Sequence, residues 1–510
     1  MSMSKSARTT AAAMGIMLLA SACGSGSSGS PEASSPASSG ASPASGSAAP
    51  AAQLPPVELT WYYPQPSLPA AVKVVEAEVN KITKSKINAT VKLVPAIFGD
   101  YTQKMNTVVA SGEAADIIWT SNWNFDYVQN QSKGAFIALD ELIDKYAPEV
   151  KKSMPSFVWD ATKIDGKIYG VPNYQIVINK EGFTIQKRYI DKYQIDVSKL
   201  KKPQDIEPLL AQIKANEKDA VPLAIDRNGL YKNMARTFNQ EIVIANIGVI
   251  NLNDPAKVLN QYETPEYKQY LDMMRDWFKK GYINEDAAVL KSLSDLQKAG
   301  KASVGYHNVL KPGGETEAKA TNNGQEITYV PLTEAYSGTN TIITTMQAVS
   351  RNSKNPERAL MLINLVNTDK ALYNLLAFGI EGTHYTKVSE GVISPVKDSG
   401  YNSQADWVFG NVFNGYLLEG KDPKVPEETR KMNETAKPSP IMGFKFKADA
   451  VSTEIANISS VVSEYTPGLN TGTIDPESKL AEFQQKLKTA GIDKVIAEAQ
   501  KQLDAWKSGK

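Results

Sequence analysis

Val-Glu-Leu-Thr-Trp, residues 57–61, is the first of three short apolar stretches that decide the fold of this 510-residue chain. The other two are Thr-Val-Lys-Leu-Val at 90–94 and Ala-Asp-Ile-Ile-Trp at 115–119. Each has the length and residue types of a strand, and apolar residues recur at helical spacing in the segments between them. The order strand, helix, strand, helix, strand predicts an α/β fold with a mostly parallel sheet covered by helices.

Aromatic and amide side chains follow the first and third predicted strands at their carboxyl ends. The first strand runs into Trp61 and Tyr62, and the third runs into Asn122, Trp123 and Asn124. Ligands of such sheets bind beyond the carboxyl ends of the strands. Aromatic faces beside amides suit a sugar, whose C–H faces pack on rings while its hydroxyls need donors and acceptors. For any single aromatic residue, core packing is the commoner role, but the clustering favours binding.

The amino terminus has the order of a secretory signal peptide. Lys5 and Arg8 precede an uncharged stretch at 10–22, which ends in small residues directly before Cys23. That stretch is too short to span a membrane. We therefore predict that residues 1–22 are a signal peptide.

Cys23 is the only cysteine of the chain, and it stands at the predicted cleavage point. A thiolate in this position can accept a lipid, and two or three acyl chains anchor a protein firmly. The alternative is a stray cysteine without function. The Ser, Gly, Ala and Pro residues that dominate 23–56 are typical of a disordered tether. The expected location is the extracytoplasmic face of the cell membrane.

The remaining chain, about 450 residues, exceeds what one core normally supports and indicates two lobes. The 56 basic and 55 acidic residues nearly balance, and no basic block is present. Nucleic acid is therefore excluded as an expected partner.

Four segments carry a resemblance to a known family. They are Ala115–Ile118, Gly134–Leu142, Asp165–Pro172 and the helical pattern at Asn355–Leu365, in which Asn355 can cap the helix and Gly379 ends it. In sequence and order they resemble the landmarks of extracellular solute-binding proteins that serve ABC importers. The tail is similar to the C-terminal domain of unknown function found in many such lipoproteins.

The resemblance implies a two-lobed periplasmic-binding-protein-like fold of type II, in which each lobe is a mostly parallel sheet flanked by helices. The solute-binding domain would span 57–439, with lobe crossings near 171–175 and 330–336, and a helical C-terminal domain would follow at 440–510. The family function is to capture a soluble nutrient in a closing cleft and deliver it to a transporter permease. Here we expect an oligosaccharide ligand and a monomer.

Further candidate ligand contacts lie in the predicted second lobe, at the first crossing and late in the chain. Each combines an aromatic ring or a polar group with a loop or an element end: Tyr174, Tyr306, Asn308, Glu381, Tyr385 and Trp407. For Glu381, a structural salt bridge is as consistent with the sequence as ligand binding. Apolar stripes in the tail, from Leu480 to Trp506, indicate helices that dock on the parent domain.

Enzyme function is the main alternative class. The chain has two histidines and lacks the sequence motifs of zinc peptidases, serine hydrolases and P-loop enzymes. No cofactor or metal is expected. A secreted glycoside hydrolase stays open, because two facing carboxylates suffice for it and sequence spacing does not report their distance. A peptide-binding surface receptor is the third possibility.

Overall fold

The computed structural model of the protein describes residues 54–401 and 405–509. The predicted signal peptide, Cys23 and all but the last residues of the predicted tether lie outside these ranges. Every helix within them is too short or too polar to span a bilayer.

The first part of the chain alternates strands and helices as predicted, and the three predicted strands are confirmed as β1, β2 and β3. Its elements are β1 (Val57–Gln65), α1 (Val72–Ile87), β2 (Ala89–Ile97), α2 (Phe98–Ser111), β3 (Ile117–Thr120), α3 (Tyr127–Ser132), α4 (Asp140–Tyr146), α5 (Pro148–Lys152), α6 (Ser156–Thr162), β4 (Lys163–Ile164), β5 (Lys167–Ile168) and β6 (Gly170–Pro172).

The middle of the chain builds the second lobe. Its elements are β7 (Gly182–Gln186), α7 (Lys187–Tyr193), α8 (Glu207–Asn216), β8 (Val221–Leu223), α9 (Tyr231–Met234), β9 (Gln240–Ile244), β10 (Gly248–Asn251), β11 (Asp254–Asn260), α10 (Pro265–Lys279), α11 (Ser294–Lys298), β12 (Ala302–His307), α12 (Gly314–Thr321) and β13 (Ile327–Pro331).

The last part returns to the first lobe and ends in the C-terminal helices. Its elements are β14 (Tyr336–Ser337), α13 (Thr339–Ile342), β15 (Met346–Val349), α14 (Pro356–Thr368), α15 (Lys370–Phe378), β16 (Tyr385–Ser389), β17 (Val392–Pro395), β18 (Leu417–Leu418), α16 (Val425–Thr435), β19 (Lys437–Pro438), α17 (Ser452–Asn470), α18 (Pro476–Ala490) and α19 (Ile492–Ser508).

Lobe 1 is organised around a five-stranded sheet in the order β2-β1-β3-β15-β6. Only β15 runs against its neighbours, so the predicted mostly parallel sheet is confirmed. Strand β1 is buried on both faces: Leu59, Trp61 and Tyr63 on one face are at most 1% exposed, and Tyr62 on the other is 3% exposed. A continuous apolar core joins this sheet to α1, α2, α14 and α15.

Lobe 2 contains a four-stranded sheet in the order β13-β7-β12-β8, in which only β7 runs against the others. A second, antiparallel sheet has the order β11-β10-β9. Helix α10 buries Tyr267, Tyr270 and Trp277 in the same core. The α/β class and the two-lobed arrangement are therefore confirmed.

The chain passes between the lobes through short extended segments. β6 belongs to the lobe 1 sheet, and the core of lobe 2 begins at Phe183. On the return, β14 pairs with β19 in a two-stranded parallel sheet, so Tyr336 lies opposite Lys437. This small sheet joins the second passage to the segment that leads into the C-terminal helices.

The helical pattern after Asn355 differs in detail from the prediction. Asn355 occupies the N-cap position of α14, but its side chain makes no capping hydrogen bond. The pattern is also divided at Asp369, whose carboxylate accepts a hydrogen bond from Leu372 N at 3.0 Å and thereby caps α15. A carboxylate in this position favours a new helix start over continuation of the old one. Gly379 ends α15, as expected.

The C-terminal helices dock on lobe 2, which confirms the prediction of a helical C-terminal region. Phe483, Val495 and Leu503 are fully buried in the lobe 2 core, and Phe483 packs on Tyr262 with ring centroids 4.8 Å apart. The turn after α17 lies against the end of α10, where a Cβ added at Gly472 would stand 2.2 Å from the Met274 carbonyl oxygen.

The segment before α17 also reaches lobe 1. Lys447 forms an ion pair with Asp165 at 2.8 Å, and Lys445 Nζ donates to the Lys163 carbonyl oxygen at 2.7 Å. Burial lowers the pKa of Lys445 to about 7, while the nearby Asp165 carboxylate raises it by a smaller amount. The C-terminal domain therefore contacts both lobes.

We predict that Gly472→Ala weakens docking of the C-terminal helices. Gly472 has a φ of +74° and a carbonyl oxygen within 2.2 Å of an added Cβ, whereas Gly324 has a φ of +72° and open space around it. Backbone strain alone costs about 1 kcal/mol, and the clash adds about 2 kcal/mol. Urea unfolding should show the larger loss for Gly472→Ala and the smaller one for Gly324→Ala. Equal losses would contradict the packing described here.

A second prediction concerns the pH dependence of stability. An unfolded lysine has a pKa of about 10.4, and that of folded Lys445 is about 7. Between these values unfolding takes up a proton, so the free energy of unfolding rises with pH across the window. Lys445→Met should remove this rise, while Lys218→Met, at an exposed position, should retain it. Urea unfolding at several pH values measures the slopes, and identical slopes for parent and Lys445→Met would refute the prediction.

Candidate functional site

Four aromatic rings lie together at the carboxyl ends of the lobe 1 strands. We call Phe98, Trp119, Trp123 and Trp407 the aromatic wall. Phe98 begins α2 directly after β2, Trp119 lies in β3, and Trp123 follows β3. Phe98 stacks on Trp407 with centroids 5.8 Å apart, and Trp123 lies 5.6 Å from Phe98. The wall is therefore assembled from three separate parts of lobe 1.

Trp123 presents the exposed surface of this wall. Its side chain is 54% exposed, whereas Trp119 beneath it is fully buried. Trp123 Nε1 donates to the Thr344 carbonyl oxygen at 2.9 Å, which fixes the ring orientation. An exposed, fixed indole supplies a large apolar face at little additional entropy cost on binding.

Asn122 and Asn124 have different roles beside this ring. Asn122 Nδ2 donates to the Asn340 carbonyl oxygen at 2.8 Å. Asn124 is buried, with Nδ2 donating to the Phe98 carbonyl oxygen at 2.9 Å and Oδ1 accepting from Thr102 Oγ1 at 2.5 Å. Asn124 therefore positions Phe98 and α2, while Asn122 connects the wall to the second passage between the lobes.

A cavity of about 240 Å³ lies on the other side of that passage. We call it the polar pocket. Its lining combines residues from lobe 2, from the second passage and from the C-terminal segment, including Asn179, Glu181, Asn308, Tyr336, Asn340 and Lys445. Asn340 thus lines the pocket and accepts the hydrogen bond of Asn122. The aromatic wall and the polar pocket are adjacent.

A buried carboxylate, Glu181, and a partly buried one, Glu241, form a network at the polar pocket. Glu181 accepts hydrogen bonds from Tyr336 OH at 2.8 Å, from Thr237 N and Oγ1 at 2.8 Å each, and from Arg236 N at 3.2 Å. Glu241 pairs with Arg236 at 2.7 Å. Burial raises the pKa of both carboxyls, and the hydrogen bonds oppose that rise.

The same network joins lobe 2 to the small sheet between the lobes. The Arg236 guanidinium lies 4.2 Å above the Tyr336 ring, and Ser439 Oγ donates to Glu241 at 2.6 Å. Tyr336 belongs to β14, and Ser439 directly follows β19. Protein donors occupy the oxygens of both carboxylates, which gives these carboxylates a structural role.

Two predicted contacts of lobe 2 lie at this network. Tyr306 OH is within 2.5 Å of Thr237 Oγ1, and its ring packs edge-on against Phe183. Asn308 lines the polar pocket, and its side-chain amide makes no hydrogen bond within the described chain. Asn308 is therefore available to a ligand, whereas Tyr306 contacts Thr237 and does not itself line the pocket.

Three other predicted contacts lie beneath the surface of lobe 1. Trp61 is buried and donates from Nε1 to Gln347 Oε1 at 2.9 Å. Tyr62 OH donates to Glu113, which precedes β3 and so lies toward the opposite end of the sheet. Tyr174 is buried against the Phe413 ring, with centroids 5.1 Å apart.

Glu381 and Tyr385 belong to a separate part of lobe 1. Glu381 pairs with Lys387 at 2.7 Å on the surface, and Tyr385, the first residue of β16, packs near Tyr416. The structure thus brings Asn122, Trp123 and Trp407 together at the aromatic wall and places Asn308 at the adjacent polar pocket. Glu381 and Tyr385 belong to neither group.

Sequence reasoning missed several residues of this site. Phe98 directly follows β2, so the strand-end argument applied to the second strand would have found it. Glu181 and Tyr336 carry no local signal, because they bind each other across 155 positions of the chain. Arg236 pairs with the nearby Glu241, but no sequence motif marks the pair. Within the described ranges, no group of three His, Cys, Asp or Glu side chains could bind a metal ion.

Two known protein families match this chain. The pattern of the family described as bacterial extracellular solute-binding protein matches residues 77–386, and a domain of unknown function, DUF3502, matches residues 440–508. A carbohydrate ABC transporter substrate-binding protein of Streptococcus pneumoniae is 31% identical over 444 residues, covering 85% of this chain and 88% of the relative.

Solved structures agree with this relationship. The N-glycan transport solute-binding protein NgtS of Streptococcus pneumoniae superposes with a TM-score of 0.75 at 30% identity, covering 88% of this chain and 99% of that chain. The structure of NgtS in complex with Man5GlcNAc gives a TM-score of 0.63 at 31% identity, with 89% and 99% covered. The predicted family resemblance is confirmed: the chain belongs to the bacterial extracellular solute-binding proteins.

Proposed function

We propose that this protein binds a soluble oligosaccharide between its lobes and delivers it to the permease of an ABC importer. The observation that carries the proposal is the hydrogen bond from Asn122 to Asn340, which connects the aromatic wall to the polar pocket. One surface therefore offers apolar ring faces, and the adjacent one offers amides. Sugars present both kinds of surface at once.

The relatives support the same class of ligand. The substrate-binding protein of Streptococcus pneumoniae is named for carbohydrate transport, and NgtS has been crystallised with Man1GlcNAc and with Man5GlcNAc. Closure about the passages near 171–175 and 330–336 would bring the polar pocket toward Trp123. Few residues are needed to absorb such a hinge motion.

A binding role without hydrolysis fits the chemistry of the pocket. Hydrolysis of a glycosidic bond needs one carboxyl group as acid and a second as base or nucleophile. Glu181 and Glu241 instead direct their oxygens to Arg236, Thr237, Tyr336 and Ser439. Neither is free to approach a sugar without breaking this network.

Replacement of the exposed indole tests the site. Trp123→Ala should weaken binding of the best neutral oligosaccharide by about tenfold or more, because it removes the main apolar contact. The melting temperature of the unliganded protein should change little, since the ring is 54% exposed. Isothermal titration calorimetry measures the affinity, and Tyr193→Ala on α7 serves as an aromatic control.

Each outcome of that experiment has a defined meaning. Unchanged affinity in Trp123→Ala would remove the aromatic wall from the binding site. Release of monosaccharide during incubation would favour a glycoside hydrolase. Stabilisation by peptides and not by sugars would favour a peptide-binding receptor, since a ligand that binds the native state raises the melting temperature.

We further propose that residues 1–22 are removed as a signal peptide, that Cys23 carries the lipid, and that 23–56 is the tether. The protein would then act as a monomer on the extracytoplasmic face of the membrane. The support is the position of Cys23, the single cysteine, directly after the small residues that end the apolar stretch.

The anchor has its own test. Cells fed an alkyne-tagged fatty acid should label the parent protein, and Cys23→Ala should lose the label and leave the membrane fraction. Ser27→Ala, in the proposed tether, is the matched control and should keep both properties. Labelling of Cys23→Ala at the parental level would disprove the lipid anchor.

A further inference from the structure

A second cavity lies next to the polar pocket on lobe 2. It also measures about 240 Å³ and lies between lobe 2 and helix α17 of the C-terminal domain. Lys232 and Ile242 line both cavities. Because two lining residues are shared, the cavities are neighbours, and we call the two together the groove.

The far end of this groove differs in chemistry from the polar pocket. Its lining supplies two cations, several amides and two aliphatic hydroxyls beside two tyrosines, including Arg227, Lys232, Asn246, Gln261, Ser463 and Thr466. No carboxylate is among the described residues that line it. We call this end the basic subsite.

The two cations of the basic subsite are not neutralised by the protein. Neither Arg227 nor Lys232 forms an ion pair within the described chain, and both are exposed to solvent. The neighbouring carboxylate of Asp226 accepts the backbone hydrogen bond of Asn228 at 2.9 Å. In the adjoining pocket, Glu181 and Glu241 are committed to their own network. The positive charge of the subsite is therefore available to a ligand.

Helix α17 adds a hydrogen-bond acceptor at the same place. Pro467 lies inside this helix and lines the cavity. A proline has no N–H, so the carbonyl of Ser463, four residues earlier, lacks its usual partner. A sugar hydroxyl beside the cations can donate to this carbonyl. The C-terminal domain would thus contribute directly to ligand binding.

We propose that the groove accepts an oligosaccharide bearing a carboxylate, with the acidic unit at the basic subsite and the preceding units along the polar pocket. This inference rests on the oligosaccharide-binding function proposed above and specifies its substrate class. A carboxylate pairs with Arg227 and Lys232 through charge-assisted hydrogen bonds. The amides of Asn246 and Gln261 serve the ring hydroxyls of the same unit.

The test compares acidic oligosaccharides with uncharged counterparts of equal length. The probes are tetragalacturonate, tetramannuronate and a sialylated lactose, each measured beside its carboxyl-reduced form by isothermal titration calorimetry. At least one acidic probe should bind about fivefold or more tightly than its reduced form at low salt. The preference should shrink as ionic strength rises, because exposed charges are screened.

Variants show which residues cause the tighter binding of the acidic probe. Arg227→Gln should bring the ratio of the two affinities close to one. Ser463→Trp should do the same by filling the cavity from an exposed position on α17. Lys218→Gln, at an exposed lysine outside the groove, should keep the parental ratio.

Two results would overturn the inference while leaving the proposed function intact. One is that no acidic probe exceeds its reduced form although neutral oligosaccharides bind. The other is that Arg227→Gln and Ser463→Trp keep the parental ratio, which would place the anion elsewhere. If no oligosaccharide of either kind binds, both the inference and the proposed function fail.

Discussion

The pairing of Arg236 with Glu241, whose side chains are 12% and 14% exposed, is the interaction on which the position of the connecting strands depends. Removing a charge from water is expensive, and the protein tolerates it only where all partners are in place. Those partners include Tyr336, which lies in β14, and Ser439, which directly follows β19. Another placement of these strands would remove the Tyr336 ring from Arg236 and the Ser439 hydrogen bond from Glu241. The network therefore specifies one position for the connecting strands relative to lobe 2.

This constraint divides the proposed binding surface into two halves with different properties. The half on lobe 2 is rigid because its carboxylates, guanidinium and hydroxyls are bound to one another. The half on lobe 1 is an exposed indole whose orientation is fixed by one hydrogen bond to Thr344. Both halves are ordered before a ligand arrives, which lowers the entropy cost of binding. Asn340 lies where the two halves meet, so a movement of one lobe relative to the other changes both halves.

The sequence alone predicted the fold to a large extent. Alternating apolar residues identified β1, β2 and β3, because strand periodicity is a local property. The strand-end argument located Trp123, yet it also selected Trp61, which lies in the core. Sequence cannot separate these two, since exposure depends on what packs above each ring. Glu181 was missed for the related reason that its partners Thr237 and Tyr336 come from distant segments. The helix division at Asp369 went unpredicted because the apolar pattern continues across it.

The order of segments in the lobe 1 sheet has a consequence for how the molecule folds. Trp61 in β1 donates a hydrogen bond to Gln347 in β15, although 286 positions separate them. All of lobe 2 is made between these two strands, so the first sheet stays incomplete until most of the polypeptide has been synthesised. Contacts of such long range make folding slow. A nascent chain of this design therefore completes its first lobe late in synthesis.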